Sequence, residues 1–196
     1  MEELLDIVDE AGNPTGRTAR RTDIHALGLL HRTSHLWLVR RRGGRVEILL
    51  QHRSPQKEAY PDCYDISSAG HIPAGSGFAE SAIRELHEEL GIEASEEELI
   101  LCGRRRFIYR ESHGGRPYVD NQISNVYIMW RDVPPEQMAL QAEEVDGVRW
   151  MAFDELVQAV AGNTIRHCIA GEELEILARA LNGQRQEAPA GDCESE

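Results

Sequence analysis

The chain opens on Leu4-Leu5-Asp6-Ile7-Val8-Asp9, where apolar and polar positions partly alternate as in a strand with one buried face. Turn formers crowd the next stretch, Glu10 to Gly16, so the pattern predicts a β-hairpin. Arg17 to Arg21 is a basic knot, read as solvated surface. His35-Leu-Trp-Leu-Val-Arg40 and Val46-Glu-Ile-Leu-Leu-Gln51 have strand composition, with Gly43-Gly44 between them as a turn. They predict a second hairpin, crossing a central sheet. Arg53 to Tyr64, with prolines at 55 and 61, is a polar loop, and Asp65 to Ala69 is a short extended stretch.

The period then changes. Gly70 to Gly77 reads G-H-I-P-A-G-S-G, too glycine-rich for a helix. Projected at about 100° per residue, Phe78, Ala82, Ile83, Leu86 and Leu90 share one arc that can pack on a core. Ser95 is placed to cap a helical turn ahead of a strand over Leu99 to Cys102. A further strand over Arg104 to Arg110, a turn over Ser112 to Pro117 and a returning strand over Gln122 to Trp130 follow. One terminal helix is expected from about Asp154 and another over about Glu172 to Leu181. The order predicts an α/β fold, a mixed β-sheet sandwiched between helices. One domain is expected over residues 1–183, with a flexible polar tail over 184–196.

Composition changes this picture little: 41% hydrophobic and 28% charged is ordinary for a globular chain, and 196 residues suit one domain. Charge changes it more. Lys and Arg number 21 against 34 Asp and Glu, a net −13 that argues against a general nucleic-acid binder. Any anionic ligand must therefore meet local positive charge or metal. No apolar run is long enough to span a membrane, and the acidic N-terminus is unlike a signal peptide, so a cytoplasmic protein is expected. Cys63, Cys102, Cys168 and Cys193 are scattered without a C-x-x-C and read as reduced, incidental thiols.

The candidate chemistry lies on the helix after Gly77. Glu85, Glu88 and Glu89 fall at i, i+3, i+4 beside the apolar arc, where like charges repel unless a cation joins them. Hard divalent ions take such oxygens and share them with phosphates. The whole stretch resembles the Nudix box, G-x5-E-x7-R-E-U-x-E-E-x-G-U, with Gly70, Arg84, Glu85, Leu86, Glu88, Glu89, Gly91 and Ile92 in place. One position departs: the first Glu of the pattern is Ser76, and Glu80 lies four residues further on. The resemblance implies the Nudix fold and hydrolysis of a small-molecule diphosphate, NDP-X, with Mg²⁺ or alternatively Mn²⁺ as cofactor. It makes Glu85, Glu88 and Glu89 metal ligands, one of them a candidate base, with the Gly70 carbonyl beside them. Arg84 holds the acids in place. A homodimer fits the family.

A narrower resemblance, over most of residues 4–155, is to the type I isopentenyl-diphosphate isomerase branch. It rests on D-I-V-D-E-A-G-N-P-T-G, L-L-Q-H-R-S-P-Q-K-E-A-Y-P and Asp120-Asn-Gln122. It implies that Arg53 and Lys57 hold the diphosphate and makes His71 and Asp120 candidates at the substrate. His71 and His31 match metal-binding histidines of that branch, and His25 sits one residue out of register with a third. A histidine metal site is not expected to carry over, and His31 and His35 are read as surface or core-edge residues. Glu143 and Glu144 are read as solvated surface. The isomerase's catalytic cysteine falls on Ala69 and its glutamate on Gln122. Alanine exchanges no proton and glutamine does not ionise, so a hydrolase on an isomerase-like frame is the preferred reading. The alternatives are an isomerase and a non-catalytic diphosphate-binding domain.

Overall fold

A computed structural model describes residues 3–57, 59–113 and 116–187. Strands β1 (Leu4–Val8) and β2 (Pro14–Arg20) form the expected N-terminal hairpin. The basic knot is thus an exposed strand running into a helix the sequence reading missed, α1 (Arg21–Leu27). Seven residues are too few to show a helical period. Its one local signal was Gly28, which takes the left-handed conformation that ends the helix.

A seven-stranded mixed sheet forms the body. β3 (His31–Arg42) and β4 (Arg45–Arg53) make the central hairpin. They pair only near their turn. Beyond it, the gap is occupied by β5 (Tyr64–Asp65), which pairs with β4, and β6 (Ser68–His71), which pairs with β3. β7 (Ile100–His113) and β8 (Arg116–Trp130) form a long antiparallel ribbon, and β8 lies parallel to β3. The two strands read separately before and after Gly103 are therefore one, with a register shift between Leu101 and Gly103. The middle of the turn read at 112–117 lies outside the described residues. β9 (Val145–Ala152) covers the other edge of β4.

Side-chain alternation sorts the core into two layers. Leu36 and Leu38 of β3, Leu49 of β4 and Tyr127 and Met129 of β8 face α2 (Phe78–Leu90), which buries Ala82, Leu86 and Leu90 on them. Trp37, Val39, Ile48, Leu50, Val126 and Ile128 face the other way. They meet Leu156 of α3 (Phe153–Ala161) and Leu174, Leu177 and Leu181 of α4 (Gly171–Glu187). The sheet is sandwiched between helices, as predicted. The second terminal helix is longer than read, since residues 184–187 continue it; residues 188–196 of the expected tail lie outside the described residues. No helix among the described residues is long and apolar enough to cross a membrane.

Candidate functional site

β6 is where chemistry gathers, with different side chains on its two faces. Gly70 points at α2 and lies so close to Glu85 that a β-carbon there would come within 2.1 Å of the Glu85 carboxyl carbon. Only a glycine lets the strand approach this carboxylate. One turn further along α2, Glu89 reaches the same strand and accepts the Ala69 N–H at 3.3 Å. It is 6% exposed. Burial first, and the neighbouring Glu85 and Glu144 after it, push its carboxyl up to about 8 against the restraint of the Ser68 hydroxyl and Ala69 N–H. Burial likewise pushes Glu85 upward, opposed by Arg84.

Arg84 holds these groups together. It donates to Glu85 at 2.7 Å, to Glu88 at 2.8 Å and to the His71 carbonyl at 3.3 Å. Glu88 is the half-exposed member of the set, open to solvent and to a ligand. Glu85 and Glu89 thus meet β6 at adjacent residues, Gly70 and Ala69, as a pair of carboxyls whose ionisation burial opposes. Their chemistry suits a hard divalent cation.

The opposite face of the same strand carries nitrogen. His71 lies against His31 of β3 and His25 of α1, with ring centroids 5.1 Å apart in all three pairs. One ligand atom from each lies within 4.8 Å of the other two. Tyr118 stacks on His25 at 4.6 Å. His31 Nδ1 is 3.0 Å from the Leu29 carbonyl, which assigns its proton to that nitrogen and leaves Nε2 as an acceptor 3.5 Å from Asp120. Both His25 nitrogens, Nε2 of His31 and His71, and Asp120 Oδ1 are buried without a hydrogen-bond partner. Burial holds His25 and His31 down to about 4 and His71 well below its ordinary value, and raises Asp120 to about 6. Neutral imidazoles aimed at one point beside a carboxyl fit a cation that takes nitrogen.

The three histidines, for which no shared site was expected, do converge. The helix α1, invisible to a linear register, swings His25 into line with His31 and His71. His31 and His35 are both buried rather than surface residues. His35 donates from Nδ1 to Glu173 of α4 at 2.9 Å, and Trp37 Nε1 and Arg105 reach the same carboxylate at 3.0 and 3.2 Å. His35 and the other donors keep the Glu173 carboxyl below its ordinary value despite burial. None of this was read from the sequence, because Glu173 lies 138 residues from His35.

The two expected diphosphate ligands are otherwise engaged. Arg53 donates to the Ala59 and Tyr60 carbonyls and to Asp65, tying the polar loop to β5. Lys57 is ion-paired with Glu144, whose backbone carbonyl also accepts the Ser54 N–H. Glu144 is thus half-buried beside the site and not a solvated surface acid. Ala69 and Gln122 stand on the histidine face of β6 and β8, so neither an acid nor a thiol occupies the isomerase positions there. Cys63, Cys102 and Cys168 are free thiols.

A family model described as NUDIX domain matches residues 29–170. An uncharacterized Nudix hydrolase of Clostridium acetobutylicum is 40% identical over 157 residues, which is 80% of this chain and 73% of that protein. An isopentenyl-diphosphate Delta-isomerase of Paenarthrobacter aurescens is 32% identical over 127 residues, 64% of this chain and 65% of that one. Among solved structures, DR0079 of Deinococcus radiodurans superposes with a TM-score of 0.64 at 22% identity, covering 90% of this chain and 98% of that one. That likeness is one of fold.

Proposed function

The chain belongs to the Nudix hydrolase family, and on that premise we propose that it hydrolyses the diphosphate linkage of a small organic diphosphate with release of a monophosphate. The observation that carries this reading is the pair of carboxyls that α2 brings against β6. Glu85 lies against Gly70, where a β-carbon would meet it, Glu89 is buried against the next residue, Ala69, and Arg84 is the cation that touches Glu85. Glu85, Glu88, Glu89 and the Gly70 carbonyl would hold Mg²⁺, or Mn²⁺ in its place. A divalent ion bound there supplies charge neutralisation at the phosphates and a more acidic water.

The chain's own residues do the rest. Arg84 pairs with Glu85 and Glu88 and with the His71 carbonyl, so the acids are preorganised on a rigid helix. Glu89, whose carboxyl burial pushes up to about 8, is the strongest base of the three acids and, once ionised, is the group we assign to take a proton from an attacking water. Lys57 and Arg53 offer the positive charge that an anionic substrate needs in a chain of net −13. Lys57 must then leave Glu144 to do so. Residues 1–183 act as one Nudix domain in this reading.

The test is Glu89→Gln. It removes metal-dependent release of monophosphate while the circular dichroism spectrum stays native; turnover that survives the change would overturn the metal site.

A second reading, isomerisation of an isoprenoid diphosphate, is favoured by the histidine cluster, which would hold a second, nitrogen-seeking cation such as Zn²⁺. It is opposed by Ala69 and Gln122, which leave that face without the thiol and the ionisable carboxylate that the isomerase branch uses to move protons. Incubation with isopentenyl diphosphate separates the two: loss of phosphate supports hydrolysis, migration of the double bond supports isomerisation.

A further inference from the structure

Ser76 breaks the Nudix pattern, and a carboxylate from elsewhere in the chain holds the loop that carries it. The loop from Gly70 to Gly77 joins β6 to α2. Pro73 to Ser76 is a β-turn closed by Ser76 N–H to the Pro73 carbonyl at 3.0 Å, with Gly75 at φ +86° in the position that demands glycine. Strand β1 lies along this turn, pairing Leu5 with Pro73 and accepting the Ala74 N–H on Leu4 at 2.8 Å.

From β1, Asp6 reaches into the loop. Its Oδ2 accepts the Gly75 N–H at 2.9 Å and Arg32 Nη2 at 3.0 Å, and the same Nη2 donates to the Ser76 carbonyl at 3.0 Å. Asp6 and Arg32 are each 8% exposed. Arg32 lies over the Phe78 ring at 5.3 Å, so the pair also grips the first residue of α2. Two observations make this more than a packing contact. Arg32 Nε is buried with no partner, so the guanidinium touching Ser76 has a donor to spare. Glu80, the acid nearest in sequence, is turned away and occupied with the Gly77 N–H at 3.1 Å.

We propose that Asp6 is a positioning residue of the Nudix site, bracing through Arg32 and Gly75 the loop in which Ser76 stands where the pattern has an acid. The N-terminal hairpin is then part of the active site's support. The proposal rests on the hydrolase reading for its consequence, since the loop it braces carries Gly70, but the bracing itself is read without turnover.

The experiment uses the full chain with Asp6→Asn, which keeps the side chain's shape, and Asp6→Asn combined with Ser76→Glu. Hydrogen exchange is followed at the amides of residues 70–77 in the metal-free protein, and Mg²⁺ activation is measured with inorganic-phosphate release from a diphosphate panel coupled to a phosphatase. Asp6→Asn is expected to speed exchange at Gly75 and Ser76 and to raise the Mg²⁺ concentration for half-activation by about tenfold, the size of one lost charge-assisted contact. Ser76→Glu is expected to restore both. Unchanged exchange in Asp6→Asn, or a change that Ser76→Glu does not restore, overturns the proposal. A wild-type protein without metal-dependent turnover sinks the hydrolase reading instead, and exchange alone then decides the role of Asp6.

Discussion

The two faces of β6 gather two kinds of side chain. Toward α2 it presents Gly70 and receives carboxylates, which are hard, anionic and drawn from a single helix turn. Toward the other face it presents His71 and receives imidazoles, which are neutral at pH 7 and drawn from α1 and β3. The acids are crowded until a cation arrives, while the histidines are merely unpartnered. The contrast teaches that burial alone does not define a metal site. It raises an acid and lowers a histidine, and so prepares one face to gain from a hard cation and the other from a softer one.

The comparison breaks most sharply on the acid face. Glu85→Gln is expected to cut metal-dependent turnover by roughly a thousandfold, about 4 kcal/mol of transition-state stabilisation, with the melting temperature kept or raised because a crowded charge is gone. A drop below about tenfold in the rate assay would place the chemistry elsewhere.

Gly70→Ala tests the same face through shape. Its β-carbon meets the Glu85 carboxyl at 2.1 Å, so Glu85 must move. Overpacking of this kind costs about 1–3 kcal/mol, read by urea unfolding, together with loss of Mg²⁺ activation.

On the other face, Glu173→Gln leaves Arg105 and His35 without their buried anion. A destabilisation of about 3 kcal/mol is expected in the same unfolding assay.

The two faces should also respond to pH with opposite signs. Glu89 binds its proton more tightly folded than unfolded, so its contribution to stability is present below about 4.5 and lost as pH rises through about 8. His25 and His31 bind theirs less tightly folded. Their contribution is present above about 6.5 and lost as pH falls toward about 4. Calorimetry with and without added Mg²⁺ should therefore show the ion raising the melting temperature more at pH 8 than at pH 6, by a few degrees. His31→Gln should flatten the loss below pH 6.5. Its effect on hydrolysis is expected to be the smallest of the set, within about tenfold, and a titration with Zn²⁺ is expected to show weaker binding than in the unaltered protein.

What could be read in the linear chain was whatever local rules dictate. The hairpins, the α2 helix and its acids are spelled out over a few residues each, by alternation, by helical period and by a motif that depends on one helix turn. Asp6 gave no such sign: its partners Arg32 and Gly75 are 26 and 69 residues away. Arg53 and Lys57 looked free because nothing local pairs with them. Their anions, Asp65 and Glu144, arrive only when β5 and β9 flank β4.

By itself the sequence determined an α/β sandwich, a helix bearing three acids and an arginine beside a glycine-rich loop, and the family to which that pattern belongs, since all of these follow from spacing within one element. The tertiary structure alone decided that His25, His31 and His71 converge, that Glu173 is buried among donors and that Asp6 braces a loop lacking its own acid. Those contacts are made across the sheet, where distance in space is set by strand pairing and packing rather than by distance along the chain.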